Sequence, residues 1–103
     1  MKGELVIDMG MMFFPGRICA TRDIVNKWKT EKDLEDFCKK CLDKHLNCDW
    51  GEVTEQQRKD NDKALKTHKK IISSYVYYPT GDVVKIETDA DHNVTIVSLT
   101  MLS

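Results

Sequence analysis

The chain changes character once, at Ile71, and that boundary constrains its fold more than any other feature. Before it, apolar residues recur at three- and four-residue steps, the period of helices that bury one face. After it, Ile71-Ile72-Ser73-Ser74-Tyr75-Val76-Tyr77-Tyr78 is rich in branched and aromatic residues, which suit a pleated, half-buried surface. Pro79-Thr80-Gly81-Asp82 and Asp89-Ala90-Asp91-His92-Asn93 are turn sequences. Val83 to Thr88 and Val94 to Leu102 then complete an antiparallel meander of three strands. Helices first and sheet afterwards define the α+β class, with the helices laid over one sheet face. A chain of 103 residues has room for one modest core, so residues 1–103 read as a single domain.

In the first half, Met12 to Ala20 reads as a short strand broken by Pro15-Gly16. Met9, Met11 and Met12 are alternative starts, which makes residues 1–11 a loose N-terminal extension. Thr21 is an N-cap for a helix through Trp28, with Asp23 in its first turn. Thr30 is placed to cap the next helix. That helix carries Leu34, Phe37, Cys38, Cys41, Leu42, His45 and Leu46 on one stripe over about sixteen residues. Thr54-x-x-Gln57 is a capping box that opens a third helix to about Lys69. Its inward stripe of Val53, Gln57, Asn61, Ala64, Leu65 and His68 is unusually polar for a core face.

Composition excludes several classes. Charged residues make up 32% and hydrophobic ones 41% of the chain, which fits a globular protein and not a disordered one. A net charge of −1 gives no overall pull toward nucleic acid or membrane. The apolar run Leu5 to Phe14 is interrupted by Asp8 and lacks a small-residue cleavage site, so it does not read as a signal peptide. No segment approaches a membrane span. The expected location is the cytoplasm, where paired cysteines hold metal more often than they form disulfides.

The richest chemistry lies in Cys38-Lys39-Lys40-Cys41-Leu42-Asp43-Lys44-His45-Leu46-Asn47-Cys48, where three cysteines and one histidine fall within eleven residues. Cys38, Cys41, His45 and Cys48 are the ligand types of a closed, structural zinc site. On an unbroken helix they share an arc of about 80° but spread over about 15 Å, too far for one ion. Zinc therefore requires the helix to end near His45 and Cys48 to fold back toward Cys38 and Cys41. Cys19, His68 or a second copy of the chain are alternative sources of a fourth ligand. The competing reading is two core cysteines, a histidine at a helix end and an unrelated Cys48. The complete ligand set favours zinc. A thioredoxin-like redox role is disfavoured because the C-x2-C pair lies within a helix.

Other constellations carry less. Lys59, Lys63, Lys66 and Lys70 follow one another at helical spacing and could contact phosphates, although such stripes are commonly solvated faces. Residues 31–62 hold ten acids and six bases, whereas residues 63–70 hold four lysines and no acid, so the charge is two-sided. Trp50 reads as either a core anchor or a binding hot spot. Asp89, Asp91 and His92 belong to turn chemistry. No serine-histidine elbow, phosphate loop or H-E-x-x-H sequence is present, so the chain is not expected to be an enzyme.

Four stretches carry a resemblance. They are His45-x-x-x-Asp49-Trp50-Gly51, Asn61-Asp62-x-Ala64-Leu65, Ile72-Ser73-Ser74-Tyr75 and Ile86-x-Thr88-Asp89-Ala90-Asp91-His92-x-Val94-Thr95. In these the chain resembles a family of small, mostly uncharacterised proteins carried by plasmids, phages and other bacterial mobile elements. Members read H-x3-D-W-G, N-x2-A-L, I/L-S-A-Y and I-T-E-A-D-R-x-x-T in the same places. This chain departs from the pattern with His92 in place of Arg and Asp89 in place of Glu. Cys38, Cys41 and Cys48 lie outside the pattern, so a zinc site would be particular to this member. The resemblance implies an accessory role, and some proteins of this setting look like anti-CRISPR inhibitors of type II effector nucleases. The expectation is a cytosolic, non-enzymatic inhibitor that binds such a nuclease directly, with structural zinc. The alternative is a small plasmid-encoded regulator or antitoxin-like module that contacts nucleic acid through its basic helix.

Overall fold

A computed structural model of the chain describes residues 12–100. The expectations for residues 1–11, and for the last two residues of the third meander strand, lie outside the described residues. In chain order the elements are β1 (Arg17–Ala20), α1 (Arg22–Thr30), α2 (Lys32–Leu46), α3 (Glu55–Thr67), β2 (Ile71–Tyr77), β3 (Asp82–Thr88) and β4 (Val94–Thr100). The α+β class and the antiparallel meander β2-β3-β4 are as expected. The sheet itself differs. β1 joins β4 in parallel, giving four strands in the order β1-β4-β3-β2 and a mixed sheet. A parallel partner needs a long crossover, and here the whole intervening chain supplies it. The strand starts only after Pro15-Gly16, where the Arg17 amide donates to the Asn93 carbonyl at 2.9 Å.

Side chains close the C-terminal ends of α1, α2 and α3 and the N-terminus of α3, whereas the N-caps Thr21 and Glu31 make no side-chain cap bond. Thr21 has the extended backbone of an N-cap, and its hydroxyl donates to Asp23 in the first turn. α1 runs two residues beyond Trp28. Thr30 consequently ends α1, its hydroxyl donating to the Lys27 carbonyl at 3.2 Å, and the N-cap of α2 is Glu31. Leu34, Cys38, Cys41, His45 and Leu46 are the buried stripe of α2, matching the sequence periodicity. The Asn47 amide closes that helix on the Asp43 carbonyl at 2.8 Å. Thr54 accepts from the Gln57 amide at 3.0 Å, which is half of a capping box. The other half is absent because the Gln57 side chain turns to Asn61, at 2.8 Å. α3 stops at Thr67, since His68 adopts the left-handed conformation and returns its N–H to the Ala64 carbonyl at 3.0 Å.

One face of the sheet is buried under the helices. Along β2 the residues Ile71, Ser73, Tyr75 and Tyr77 point inward, opposite Thr88, Ile86, Val84 and Asp82 of β3. Thr95 and Val97 continue the same rows on β4. The larger apolar cluster joins Ile24, Leu34, Cys38 and Cys41 to Tyr75, Tyr77, Val84, Ile86 and Val97. A second cluster, under α3, holds Trp50, Ala64 and Ile71 with Phe13, Cys48, Val53 and Leu65 packed against them.

The segment after α2 runs beside β2 as a one-residue parallel bridge between Gly51 and Ser74. Gly51 has φ +72°, and a Cβ there would sit 2.2 Å from the Ser74 carbonyl oxygen and 2.5 Å from the Tyr75 ring. Gly81, in the β2–β3 turn, has φ +80° and open space around it. Gly81→Ala is expected to cost about 1 kcal/mol, from the left-handed backbone alone. Gly51→Ala is expected to cost about 3 kcal/mol, because steric overlap adds to the strain. Urea denaturation of the two variants, read as midpoint shifts at constant slope, checks the difference; equal losses would contradict the close approach.

Candidate functional site

The polar centre of the molecule is His45, on the last turn of α2 and fully buried. Its Nδ1 lies 2.6 Å from the Ser73 hydroxyl on β2, and its Nε2 lies 2.9 Å from the Thr88 hydroxyl on β3. Thr88 in turn lies 2.8 Å from the Thr95 hydroxyl on β4, which donates to the Pro15 carbonyl at 2.7 Å. Ser73, Thr88 and Thr95 are themselves fully buried.

The direction of this relay is fixed at one end. A carbonyl only accepts, so Thr95 spends its single proton on Pro15 and must accept from Thr88. Thr88 then has no proton left for His45 and accepts from Nε2–H. Ser73 completes the set by donating to Nδ1. His45 is therefore the neutral Nε2–H tautomer, with both nitrogens used. Burial pushes its pKa down to about 4, because the imidazolium would lose hydration that nothing in the site replaces. Phe13 and Trp50 close the imidazole with edge contacts at 5.5 and 5.7 Å between ring centroids.

A second polar device faces the outer edge of β2. Asn61 on α3 is fully buried. Its amide donates to the Ile72 carbonyl at 2.7 Å, and its oxygen accepts from the Ile72 N–H at 3.1 Å. The side chain thus imitates a neighbouring strand. Two residues on, the Ser74 N–H donates to the Trp50 carbonyl at 3.2 Å, and the Glu52 N–H donates to the Ser74 carbonyl at 2.7 Å. The outward backbone groups of β2 at Ile72 and Ser74 are therefore satisfied from within the chain. The Tyr75 hydroxyl donates to the Asp49 carbonyl at 2.7 Å. The Trp50 indole N–H donates to Asp62 at 3.3 Å. Trp50 is only 1% exposed, which makes it a core anchor and unavailable as a surface hot spot.

The four expected zinc ligands are not brought together. α2 does end beside His45, as a metal site would need, but Cys48 does not fold back. It has φ +66° and packs with Trp50, Ala64 and Ile71, whereas Cys38 and Cys41 belong to the other apolar cluster. Burial, followed by the neighbouring Cys38, pushes the Cys41 thiol up to about 12, and burial also raises Cys38 and Cys48. Among the described residues, no three His, Cys, Asp or Glu side chains are grouped to hold an ion. Cys19 lies on β1, and His68 faces His92 with ring centroids 6.2 Å apart. This arrangement does not fit a four-ligand zinc site. Zinc binding would require His45 to break one of its hydrogen bonds and a thiol to leave its cluster.

Lys59, Lys63 and Lys66 are exposed along α3. Lys70 falls beyond the helix and pairs with Glu87 at 3.2 Å, so the basic stripe is shorter than its spacing implies. Lys63, Lys69 and Lys70 line a shallow hollow of about 400 Å³ that also contains Asp60.

Sequence reasoning missed Ser73, Thr88 and Thr95. Their signal was the presence of hydroxyl residues at inward strand positions, where an apolar residue is the rule. Of the twenty residues on which the expected resemblance rests, twelve belong to these devices or sit against them: His45, Asp49, Trp50, Gly51, Asn61, Asp62, Ile72, Ser73, Ser74, Tyr75, Thr88 and Thr95. Asp89 joins them by accepting from the Asn93 and Val94 amides at 2.8 and 3.3 Å, which holds the β3–β4 turn. No family model matches the chain, and comparisons with curated proteins and with solved structures give no match either.

A histidine with a depressed folded pKa makes stability depend on pH. The unfolded chain takes up the proton near pH 6.5 and the folded one only near 4. The stabilising contribution is complete above pH 6.5 and is lost as the pH falls from there toward 4, by about 3 kcal/mol in all. Denaturation at pH 7.0, 6.0 and 5.0 should show this loss in the wild type and a flatter profile in His45→Phe. Parallel profiles would mean that His45 takes up its proton as readily in the folded chain as in the unfolded one.

Proposed function

We propose that the chain is a non-enzymatic binding protein of a mobile element. In this reading it inhibits a type II CRISPR effector nuclease by docking on it as a rigid body. One observation carries the non-catalytic part. The histidine best placed for acid–base work has both nitrogens committed to Ser73 and Thr88 and no contact with solvent. A general base must reach its substrate's proton, and this imidazole reaches only the sheet. The partner class rests on the resemblance in the four sequence stretches. Those residues are mostly buried or half-buried, so they support a shared scaffold, and the docking contacts fall to the surface around them. Because the ligand set does not converge, the inhibitor needs no zinc in this reading.

The chain should co-purify with a type II effector loaded with guide RNA and should suppress cleavage of a matched DNA duplex at equimolar ratio. Absence of both capture and inhibition across several type II effectors would reject the partner.

A second reading has its own support in the exposed Lys59, Lys63 and Lys66 on one helix. If that face binds nucleic acid, affinity for duplex DNA will fall steeply with salt. Replacing the three lysines by glutamine should lower the logarithmic salt slope by about 3, since each phosphate contact contributes about 0.9. An unchanged slope assigns this face to solvent.

A further inference from the structure

The two edges of the sheet are treated differently. At β2 the outward backbone groups of Ile72 and Ser74 are occupied by Asn61 and by the segment Trp50–Glu52. At the other edge stands β1, which among the described residues pairs only with β4. The Arg17 and Thr21 amides donate to the carbonyls of Asn93 and Val97. In a strand every second residue directs its N–H and C=O to the same side. Those of Ile18 and Ala20 therefore point away from β4, and among the described residues no partner meets them.

The side chains of the same two residues face the helices. Ile18 and Ala20 stand in register with Thr95 and Val97, both inward residues of β4. The helices stop short of this edge, so Ile18 is 45% exposed. Between β1 and the helices lies a mainly apolar groove of about 230 Å³, lined by Ile18, Ala20, Trp28, Cys38, Leu42 and Val97. A cavity of about 150 Å³ holds a benzene ring, so this one takes a large aliphatic or aromatic side chain. Glu35 and Lys39 on its wall pair with each other at 3.9 Å, leaving the groove itself without net charge. Exposed Arg17 begins β1, exposed Arg22 follows just past its end, and neither has an ion-pair partner among the described residues.

We propose that β1 and this groove form a strand-addition site for an extended segment of a partner protein, with an apolar residue in the groove and acidic residues toward both ends. The backbone of Ile18 and Ala20 supplies two donors and two acceptors for the ladder. The groove selects the side chain that enters, and the two arginines complement the acidic ends. This is recognition by main-chain pairing with a side-chain pocket. It rests on the reading of the chain as a protein-binding module and not on which nuclease is bound.

The probe is the synthetic peptide acetyl-Asp-Thr-Leu-Thr-Leu-Thr-Asp-amide, titrated into the full-length ¹⁵N-labelled chain. Saturable shifts at Ile18 and Ala20, with their amide exchange slowed by about tenfold or more, support the site. The peptide with lysine at both ends should bind at least about fivefold more weakly. Ala20→Pro removes an outward N–H and no bond to β4, so it should keep the fold and abolish binding. Where that variant loses its native spectrum, Arg22→Glu tests the charge match and should erase the preference between the two peptides, since Arg17 still favours acid at the other end.

Three results overturn the proposal: no saturable shift at millimolar peptide, shifts centred elsewhere, or slow exchange of both amides in the chain alone, which would mean the edge is already filled. A concentration-dependent dimer removed by Ala20→Pro would give the edge to a second copy and overturn it as well. If wild type and Ala20→Pro capture an effector equally, the site fails and the inhibitor reading stands. Failure to capture any effector leaves the peptide titration to decide the site alone.

Discussion

The Pro15 carbonyl sets the direction of every hydrogen bond in the relay that runs from it to His45. Because it can only accept, Thr95, Thr88, His45 and Ser73 have one consistent arrangement between them. The relay ties the segment before β1, the three meander strands and the end of α2 into one unit. It also answers the main objection to burying so many polar groups in a small domain, which is the cost of leaving any unpaired. Each hydroxyl in it donates once, and the imidazole donates once and accepts once. Removing any member leaves a neighbour with an orphaned group in a dry setting, so the members stand or fall together.

Such a relay also holds register. Two apolar clusters of this size would tolerate small slides of one layer over the other, since aliphatic contacts are non-directional. His45 does not tolerate them. It needs Ser73 and Thr88 on adjacent rows of the sheet, and a one-residue slip of β2 or β3 would carry either hydroxyl to the opposite face. Asn61 performs the same service at the sheet edge, where its amide reads the N–H and C=O of Ile72 together. The polar groups specify where the layers meet, and the apolar clusters on either side supply the burial.

The α+β class, the meander and the buried face of α2 were legible because they follow from short-range periodicity and turn chemistry. The pairing of β1 with β4 was not. Its partners are brought together by the whole fold, and no turn sequence announces them. Thr30 was placed at the start of a helix because its residue type suits a cap, but Glu31 interrupts the chain one residue later. The cysteine cluster shows the limit of reading ligand types along a line. His45 has the right chemistry for zinc, yet its nitrogens are held by hydroxyls 28 and 43 residues away. Nothing in the local spacing reports those partners. The polar stripe of α3 was visible as an anomaly, and Asn61 explains it once Ile72 is seen opposite.

The unequal treatment of the two sheet edges has a consequence for assembly. A sheet open at both sides can add copies without limit, which is how strand-rich proteins grow into fibres. Here Asn61 and the Trp50–Glu52 segment occupy the outward groups of Ile72 and Ser74 and leave only those of Val76 without a partner among the described residues, so among the described strands β1 offers the longer stretch for addition. Growth by that route ends after one step, with either one foreign strand or one second copy related by a two-fold axis. The molecule can therefore present a bare strand edge and still not polymerise through it.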